Sequence, residues 1–214
     1  MKRLSKAFFL GSYIGAGIAL FIYTEIAFMD FFKYTDFGGL LPGFTYMDGV
    51  EIPLWHYTLS GDLSSWIGIF FIVVLCIFVY KAWESIQDGH ARTSAGKALG
   101  FLFIPFFNLY WIFQAVWGFA VDFNKYISRN NVNTAPRLPQ RLFLALCILT
   151  LLGFILGWVG DIPRFNLYVN YGTWVVVMAY YVIGAILINK VCNAVNALPL
   201  PVKKLDSGVA RQNY

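Results

Sequence analysis

Five long apolar stretches occupy most of this 214-residue chain, and they constrain its fold more than any other feature. Hydrophobic residues make up 59% of the sequence and charged residues only 13%, whereas a soluble domain carries roughly 25% charge. An ionised side chain in the middle of a bilayer is costly, so a hydrocarbon environment demands this shortage of charge. The composition therefore predicts an all-α integral membrane protein with a single polytopic domain.

Four of the stretches are predicted to cross the membrane as helices, because each has about the length that a hydrocarbon core of about 30 Å requires. Their predicted ranges are 7–29, 63–80, 142–159 and 172–188. The segment 30–62 is predicted to form an outer loop, and Ser60 or Asp62 is expected to cap the second span. Residues 1–201 would then form one membrane domain, and 202–214 a mobile cytoplasmic tail.

The remaining apolar stretch, 98–121, decides the topology because of where the basic residues fall. Five full crossings would place seven Lys and Arg inside and nine outside, against the rule that cytoplasmic loops are rich in these residues. If 98–121 enters and returns on the same side, all of the 16 except Lys33 and Arg164 lie inside. The charge pattern thus favours four spans with a re-entrant third segment and both termini in the cytoplasm.

Pro105 interrupts this third segment, and Asn108 and Gln114 follow it. Because proline lacks a backbone donor and clashes with the preceding turn, it predicts either a turn at Pro105–Asn108 or a kink in one full span. Length favours the kinked span, and charge favours re-entry. In the re-entrant case the turn is expected to be buried, with Asn108 and Gln114 bonding the freed backbone groups, because broken backbone at membrane depth needs shielding.

Small residues recur at every fourth position in two of the predicted spans. Gly11 and Gly15 share one face of the first span, and Gly153 and Gly157 share one face of the span 142–159. Small residues at this spacing let another helix approach closely in a membrane. These faces are therefore predicted to be helix-packing surfaces.

Residues suited to chemistry are sparse and scattered. Glu25 is the one ionisable residue well inside an apolar run, about one turn from the outer end of the first span, which makes it a candidate functional residue unless it reaches outward to water. His56 and His90 would lie on opposite sides of the membrane, and a cluster of His56, Ser60 and Asp62 is less favoured than simple helix capping. The sequence matches no metal-ligand or nucleophile motif, so it predicts no catalytic, cofactor or metal site.

One short motif in the third segment is similar to a known family. Its matching positions are Gly100, Ile104, Pro105, Asn108 and Leu109. They resemble the bacterial membrane family called domain of unknown function 4328, whose members share a glycine-aromatic-x-Pro-x-x-Asn-Leu pattern between hydrophobic segments. The resemblance covers roughly 63–196 and departs from the family in the long aromatic outer loop and in a weaker second proline and tryptophan-rich run. It implies architecture and bacterial origin, and no activity.

The sequence favours a non-catalytic accessory or interaction protein of the bacterial inner membrane. The alternative is a small-solute or ion conduit that the broken third helix lines with Pro105, Asn108 and Gln114, with Glu25 near its outer mouth. The net charge of +5 indicates attraction to anionic lipids at the cytoplasmic face rather than to nucleic acid. A membrane-protein partner or a second copy of the chain would be the remaining partner.

Overall fold

A computed structural model describes the backbone of residues 3–34, 54–160 and 166–199, and the side chains of 3–22, 65–156 and 172–199. Within these ranges the fold is all-helical, with 79% helix and no strand, as predicted. Two described stretches, Ser65–Glu84 and Gly172–Asn196, are long and apolar enough to cross a membrane, and the fully described parts of two further helices, Lys6–Ile22 and Gln140–Leu156, are also apolar.

The helices are longer than the apolar stretches that predicted them. In chain order they are α1 Lys6–Tyr34, α2 Leu54–Glu84, α3 Ala95–Gly100, α4 Phe107–Ile112, α5 Gly118–Arg129, α6 Gln140–Gly160 and α7 Asn166–Asn196. A helix that has formed gains one hydrogen bond for each further residue that it orders, so it extends past its apolar part. Ser60 and Asp62 consequently lie inside α2, and the prediction that one of them caps this helix is wrong.

The long helices pack in the order α2, α1, α7 and α6. The segment from α3 to α5 closes this row, because α3 packs against α2 while the π-helical turn Phe113–Trp117 before α5 packs against α6. Ser94 caps α3, since its hydroxyl accepts a hydrogen bond from the backbone N–H of Lys97 at 3.3 Å. The third segment therefore stands between two long helices.

One end of this arrangement, which we call the base, gathers several chain segments. It comprises residues 3–6, 81–97, 122–141 and 190–198. The backbone N–H and carbonyl of Leu4 bond to the side chain of Asn196 at 2.8 and 2.9 Å. The hydroxyl of Thr134 donates to the carbonyl of Ala197 at 2.9 Å. The start of α1, the approach to α6 and the end of α7 therefore meet at the same end.

The base also holds the main described hydrophobic core. Trp83 and Phe123 are fully buried there, together with Val191 and Cys192 of α7. Outside the base, the described parts of the long helices present many exposed Ile, Phe and Val side chains. An apolar surface of this extent is what a lipid-facing helix would carry.

Candidate functional site

The third segment folds back on itself as a helical hairpin. The indole N–H of Trp111 donates to the carbonyl of Ala98 at 3.1 Å, and nearer the base the guanidinium of Arg92 bonds to Asp122. In one continuous helix, residues 98 and 111 would be about 20 Å apart, since each residue rises about 1.5 Å. Among the described residues the chain therefore reverses at Pro105–Asn108, which is one of the two arrangements that Pro105 predicts.

The turn pairs its own backbone groups. The N–H of Ile104 donates to Phe101 at 3.4 Å, Phe107 to Pro105 at 2.7 Å, Asn108 to Ile104 at 3.0 Å and Leu109 to Phe106 at 3.3 Å. Pro105 carries no N–H that could be left unpaired where the helix breaks. Phe106 adopts a φ of 62°, which is unusual for a bulky residue and costs local strain. The hydrogen bonds within the turn therefore accompany a strained backbone conformation at Phe106.

The residues Phe103–Phe107, which we call the tip, are exposed rather than buried. Phe106 is 80% exposed and Phe103 is 63% exposed. The prediction of a buried turn is therefore wrong. The physical reason is that a turn whose backbone groups bond to one another needs less shielding by surrounding protein.

Asn108 and Gln114 do not have the predicted role at the turn. The Asn108 side chain is half-buried, and among the described residues it makes no hydrogen bond. The amide of Gln114 lies towards the base, where it donates to the hydroxyl of Tyr110 at 3.1 Å and accepts from Arg92 at 3.4 Å. The two side chains therefore share no hydrogen-bond network, and neither bonds to the backbone of the turn.

Aromatic rings hold the two arms of the hairpin together below the tip. The ring of Phe101 in the outgoing arm lies edge-on to that of Trp111 in the returning arm, with centroids 4.8 Å apart. Phe107 stacks on the same Trp111 ring at 5.5 Å and an interplanar angle of 23°. Such ring pairs each contribute about 0.5–1.5 kcal/mol beyond simple burial. Trp111 is thus both a packing centre and the hydrogen-bond donor to Ala98.

At its other end the hairpin is fixed to α2. The indole N–H of Trp83 donates to the carbonyl of Ala115 at 2.9 Å, and the ring packs edge-on against Phe119 at 5.6 Å. Ala115 lies in the π-helical turn, where the N–H of Gly118 reaches back five residues to Phe113. A π-turn changes the usual pairing of carbonyl groups. The buried Trp83 side chain supplies a donor at this place.

A buried carboxylate completes this attachment, which we call the root and define as Trp83, Arg92, Gln114, Ala115 and Asp122. Asp122 is 6% exposed. Its oxygens accept from the backbone N–H of Arg92 at 3.1 Å and from the guanidinium at 2.9 Å. Hydrogen bonds between charged groups are among the stronger ones in proteins. The root therefore fixes the linker that precedes α3 to the returning arm.

The hairpin covers only part of the length of its neighbours. From Ala115, beside Trp83, to Phe107 at the start of α4 the chain rises through eight residues, or about 12 Å. The apolar part of α2, Ser65–Glu84, has 20 residues and is about 30 Å long. The returning arm is therefore less than half as long as the apolar part of α2.

The predicted glycine faces have different surroundings. A Cβ atom placed on Gly11 or Gly15 would have no described heavy atom within 4 Å, whereas one on Gly153 would lie 3.8 Å from Val176 of α7. Glu25 and Gly157 lie in α1 and α6, but their surroundings fall outside the described residues. The Gly11 and Gly15 positions therefore face away from the described part of this chain.

Two other glycines, which the sequence did not single out, make the close contacts within the chain. A Cβ on Gly17 would lie 3.0 Å from the Tyr181 ring, and one on Gly184 would overlap the hydroxyl of Tyr13. These contacts close α1 onto α7. Sequence reasoning missed them because a single glycine opposite a tyrosine leaves no repeating pattern.

An apolar groove of about 690 Å³ lies between α1 and α7, beyond the contact of Gly17 with Tyr181. Its walls carry mostly aliphatic and aromatic side chains, such as Ile18, Phe21 and Val177. The hydroxyl of Tyr13 at its edge donates to the carbonyl of Tyr180 at 3.4 Å. The groove is therefore suited to hydrocarbon contact rather than to acid–base chemistry.

Among the residues whose positions the structure describes, no group of three or more His, Cys, Asp or Glu side chains lies close enough to hold a metal ion. Comparison of the chain with protein-family models, with curated proteins and with solved structures finds no match. The resemblance to domain of unknown function 4328 consequently stays a prediction.

Proposed function

We propose that this chain is a non-catalytic membrane interaction protein that contacts another membrane helix through the Gly11 and Gly15 face of α1. The observation that carries this proposal is the contrast between two sets of glycines in α1 and α7. Gly17 and Gly184 pack against tyrosines of the same chain, whereas Gly11 and Gly15 meet no described atom.

An uncovered pair of glycines has a physical use in a membrane. Lipid tails are as apolar as leucine, so helices associate there mainly through close packing. Gly11 and Gly15 are four residues apart and therefore lie on one face of α1. A partner helix could approach the α1 backbone closely at this face, while the bulkier Ile14 and Ile18 beside it, both exposed, would pack around the contact.

The membrane arrangement that we propose has α1, α2, α6 and α7 crossing the bilayer and the hairpin entering it from the cytoplasmic side. The distribution of charge supports this arrangement. Every Lys and Arg in the described ranges, apart from Lys33, lies in the segments that meet at the base. Because cytoplasmic segments are rich in these residues, the base and both termini would face the cytoplasm of a bacterial inner membrane.

The alternative function, a solute conduit along the broken third helix, has less support. Its lining would need Asn108 and Gln114 to face a common polar path. Gln114 instead bonds to Arg92 and Tyr110 near the root, while Asn108 lies next to the aromatic tip. The interaction protein is therefore the preferred function.

The test is cross-linking of the full chain in native membranes, followed by purification in a mild detergent. We expect a specific cross-linked product, either with a second copy or with one partner, and we expect Gly15→Leu to abolish it. Gly172→Leu is the matched control, because Gly172 is also uncovered but has Tyr168 and Val176 at the four-residue spacing. A product that persists in Gly15→Leu, or that both variants lose equally, would refute the proposal.

A further inference from the structure

A second surface, at the base, has the features of a binding site. A cleft of about 470 Å³ lies between α5 and the start of α6. One face of α5 lines it with Val121, Asn124, Lys125, Ser128 and Arg129. These residues are three or four positions apart in sequence or adjacent, so they share one side of the helix. Arg137 and Gln140 line it from the segment that leads into α6.

A hydrogen-bonded clamp fixes the geometry of this cleft. The side-chain amide of Asn124 donates to the carbonyl of Leu138 at 2.9 Å, and the N–H of Leu138 donates back to Asn124 at 2.8 Å. Lys125 follows Asn124 in the chain and Arg137 precedes Leu138, so the clamp holds both cations at the same cleft. Leu138 is itself buried. Preorganisation of this kind lowers the entropy lost when a ligand binds.

Lys125 and Arg137, the two cations next to the clamp, have no carboxylate partner within the described ranges. Arg92 of the base and Arg129, which also lines the cleft, are each paired with a carboxylate at 2.9 Å. For Lys125 and Arg137 no ion pair is found within the described ranges, and both side chains are exposed. Two uncompensated cations that face one cleft would attract an anion with several acceptor oxygens. A phosphate group has this chemistry.

The position of the cleft points to a phosphate carried by a lipid. Val121 forms an apolar wall on one side, and the apolar part of α6 begins at Leu142, two residues after Gln140. We propose that the cleft binds the phosphate of an anionic phospholipid, whose acyl chains extend along α6. This inference rests on the membrane arrangement proposed above, with the base at the cytoplasmic surface, and is independent of the α1 contact.

The experiment titrates the purified full chain, in a neutral maltoside detergent, with dihexanoyl phosphatidylglycerol and, separately, with inorganic phosphate. The Lys125→Gln/Arg137→Gln variant is compared with Lys97→Gln/Lys190→Gln, which removes the same charge from exposed sites at the base outside the cleft. We expect the cleft variant to bind the lipid about 30-fold more weakly, from about 1 kcal/mol for each cation. The control variant and the wild type should bind alike, and inorganic phosphate should bind far more weakly than the lipid.

Each other outcome overturns the proposal in a distinct way. Equal weakening in both variants would mean general charge attraction, and equal affinity for lipid and inorganic phosphate would mean a site for a soluble anion. If the wild type shows neither binding nor thermal stabilisation by the lipid, there is no site. Thermal stabilisation is measured on the wild type alone, so this test does not depend on whether a variant folds. Cross-linking that persists in Gly15→Leu would refute the α1 contact alone, and release of the chain by alkaline carbonate would refute the membrane arrangement.

Discussion

At the root of the hairpin, side chains from α2 and from the linker before α3 bond to the returning arm, whereas at the tip the backbone bonds to its own neighbours. The side chains of Trp83 and Asp122 are buried, and both form hydrogen bonds. Phe106 is 80% exposed, and its backbone is strained. The root therefore depends on the rest of the molecule, and the tip depends mainly on itself.

This difference indicates how a broken helix can reach into an apolar environment. Unpaired backbone groups are expensive in hydrocarbon, and the tip reduces them by local bonds and by placing a proline at the break. A second requirement remains, because the orientation of a short hairpin relative to the long helices must be fixed. The root supplies that support through Trp83 and the Arg92–Asp122 pair.

The largest expected effect tests the root. Trp83→Ala should destabilise the chain by about 3–5 kcal/mol, because it removes a fully buried indole and leaves a cavity. Trp66→Ala, at a position that is 69% exposed, should change the stability by about 0.5 kcal/mol or less. Denaturant unfolding in the same detergent gives both values. Similar losses in the two variants would show that Trp83 does not anchor the hairpin.

The next effect tests the charge at the root. Asp122→Asn keeps the size of the side chain but weakens its bonds to Arg92, so we expect a loss of about 1–3 kcal/mol. Asp122→Glu, which keeps the charge but changes the reach, should fall between Asn and the wild type. Thermal unfolding in detergent measures all three proteins. An Asn variant as stable as the wild type would mean that the pair contributes nothing to holding the hairpin.

A much smaller effect is expected at the tip. Asn108→Leu should change the stability by about 0.5 kcal/mol or less, because its side chain makes no described hydrogen bond. The buried-turn interpretation from the sequence would instead require about 1–3 kcal/mol. Phe106→Ala should be similarly mild, since an exposed ring loses few protein contacts. A large loss in either variant would show that the tip is covered by protein, and the contrast between root and tip would fail.

The smallest effect is the pH dependence of Asp88 at the base. Burial alone would raise the pKa of this carboxyl, but hydrogen bonds from the backbone of His90 and from Arg129 and Asn130, together with the Arg129 charge, hold it below its ordinary 3.8. A lowered folded-state pKa stabilises the protein above about pH 4, and this contribution disappears as the pH falls through the folded-state value. The stability gap between wild type and Asp88→Asn, about 0.3 kcal/mol for a partly exposed pair, should therefore close on acidification. A gap that widens instead would contradict this sign.

The reversal of the chain at Pro105 is one of two alternatives that the sequence leaves open, because proline chemistry fits a turn or a kink and only the distribution of basic residues favours the turn. The helical class follows from the composition and length of the apolar stretches. The exposure of the turn could not be predicted in this way. It depends on whether the backbone groups of Ile104, Pro105 and Phe106 form hydrogen bonds within the turn. The positive φ that allows these bonds is adopted by Phe106, whereas a sequence usually signals a positive φ with glycine.

The root lies beyond sequence reasoning for a different reason. Arg92 and Asp122 are 30 residues apart, and either could pair with several other charged residues nearby in the chain. The bond from Trp83 to Ala115 depends on a π-turn, for which the sequence carries no known signature. The Gly11 and Gly15 spacing was visible, but the direction in which it faces is a property of how α1 packs against α2 and α7.

The return of the hairpin to its own side of the membrane is the central claim, and labelling of single cysteines tests it most directly. Ser5→Cys and Asn133→Cys place thiols at two exposed positions of the base, and the unmodified chain, whose cysteines lie in apolar helices, is the blank. A membrane-impermeant maleimide should label both positions in inside-out vesicles and neither in right-side-out vesicles. Labelling of Ser5→Cys and Asn133→Cys from opposite sides would mean that the third segment crosses the membrane, and would contradict the account.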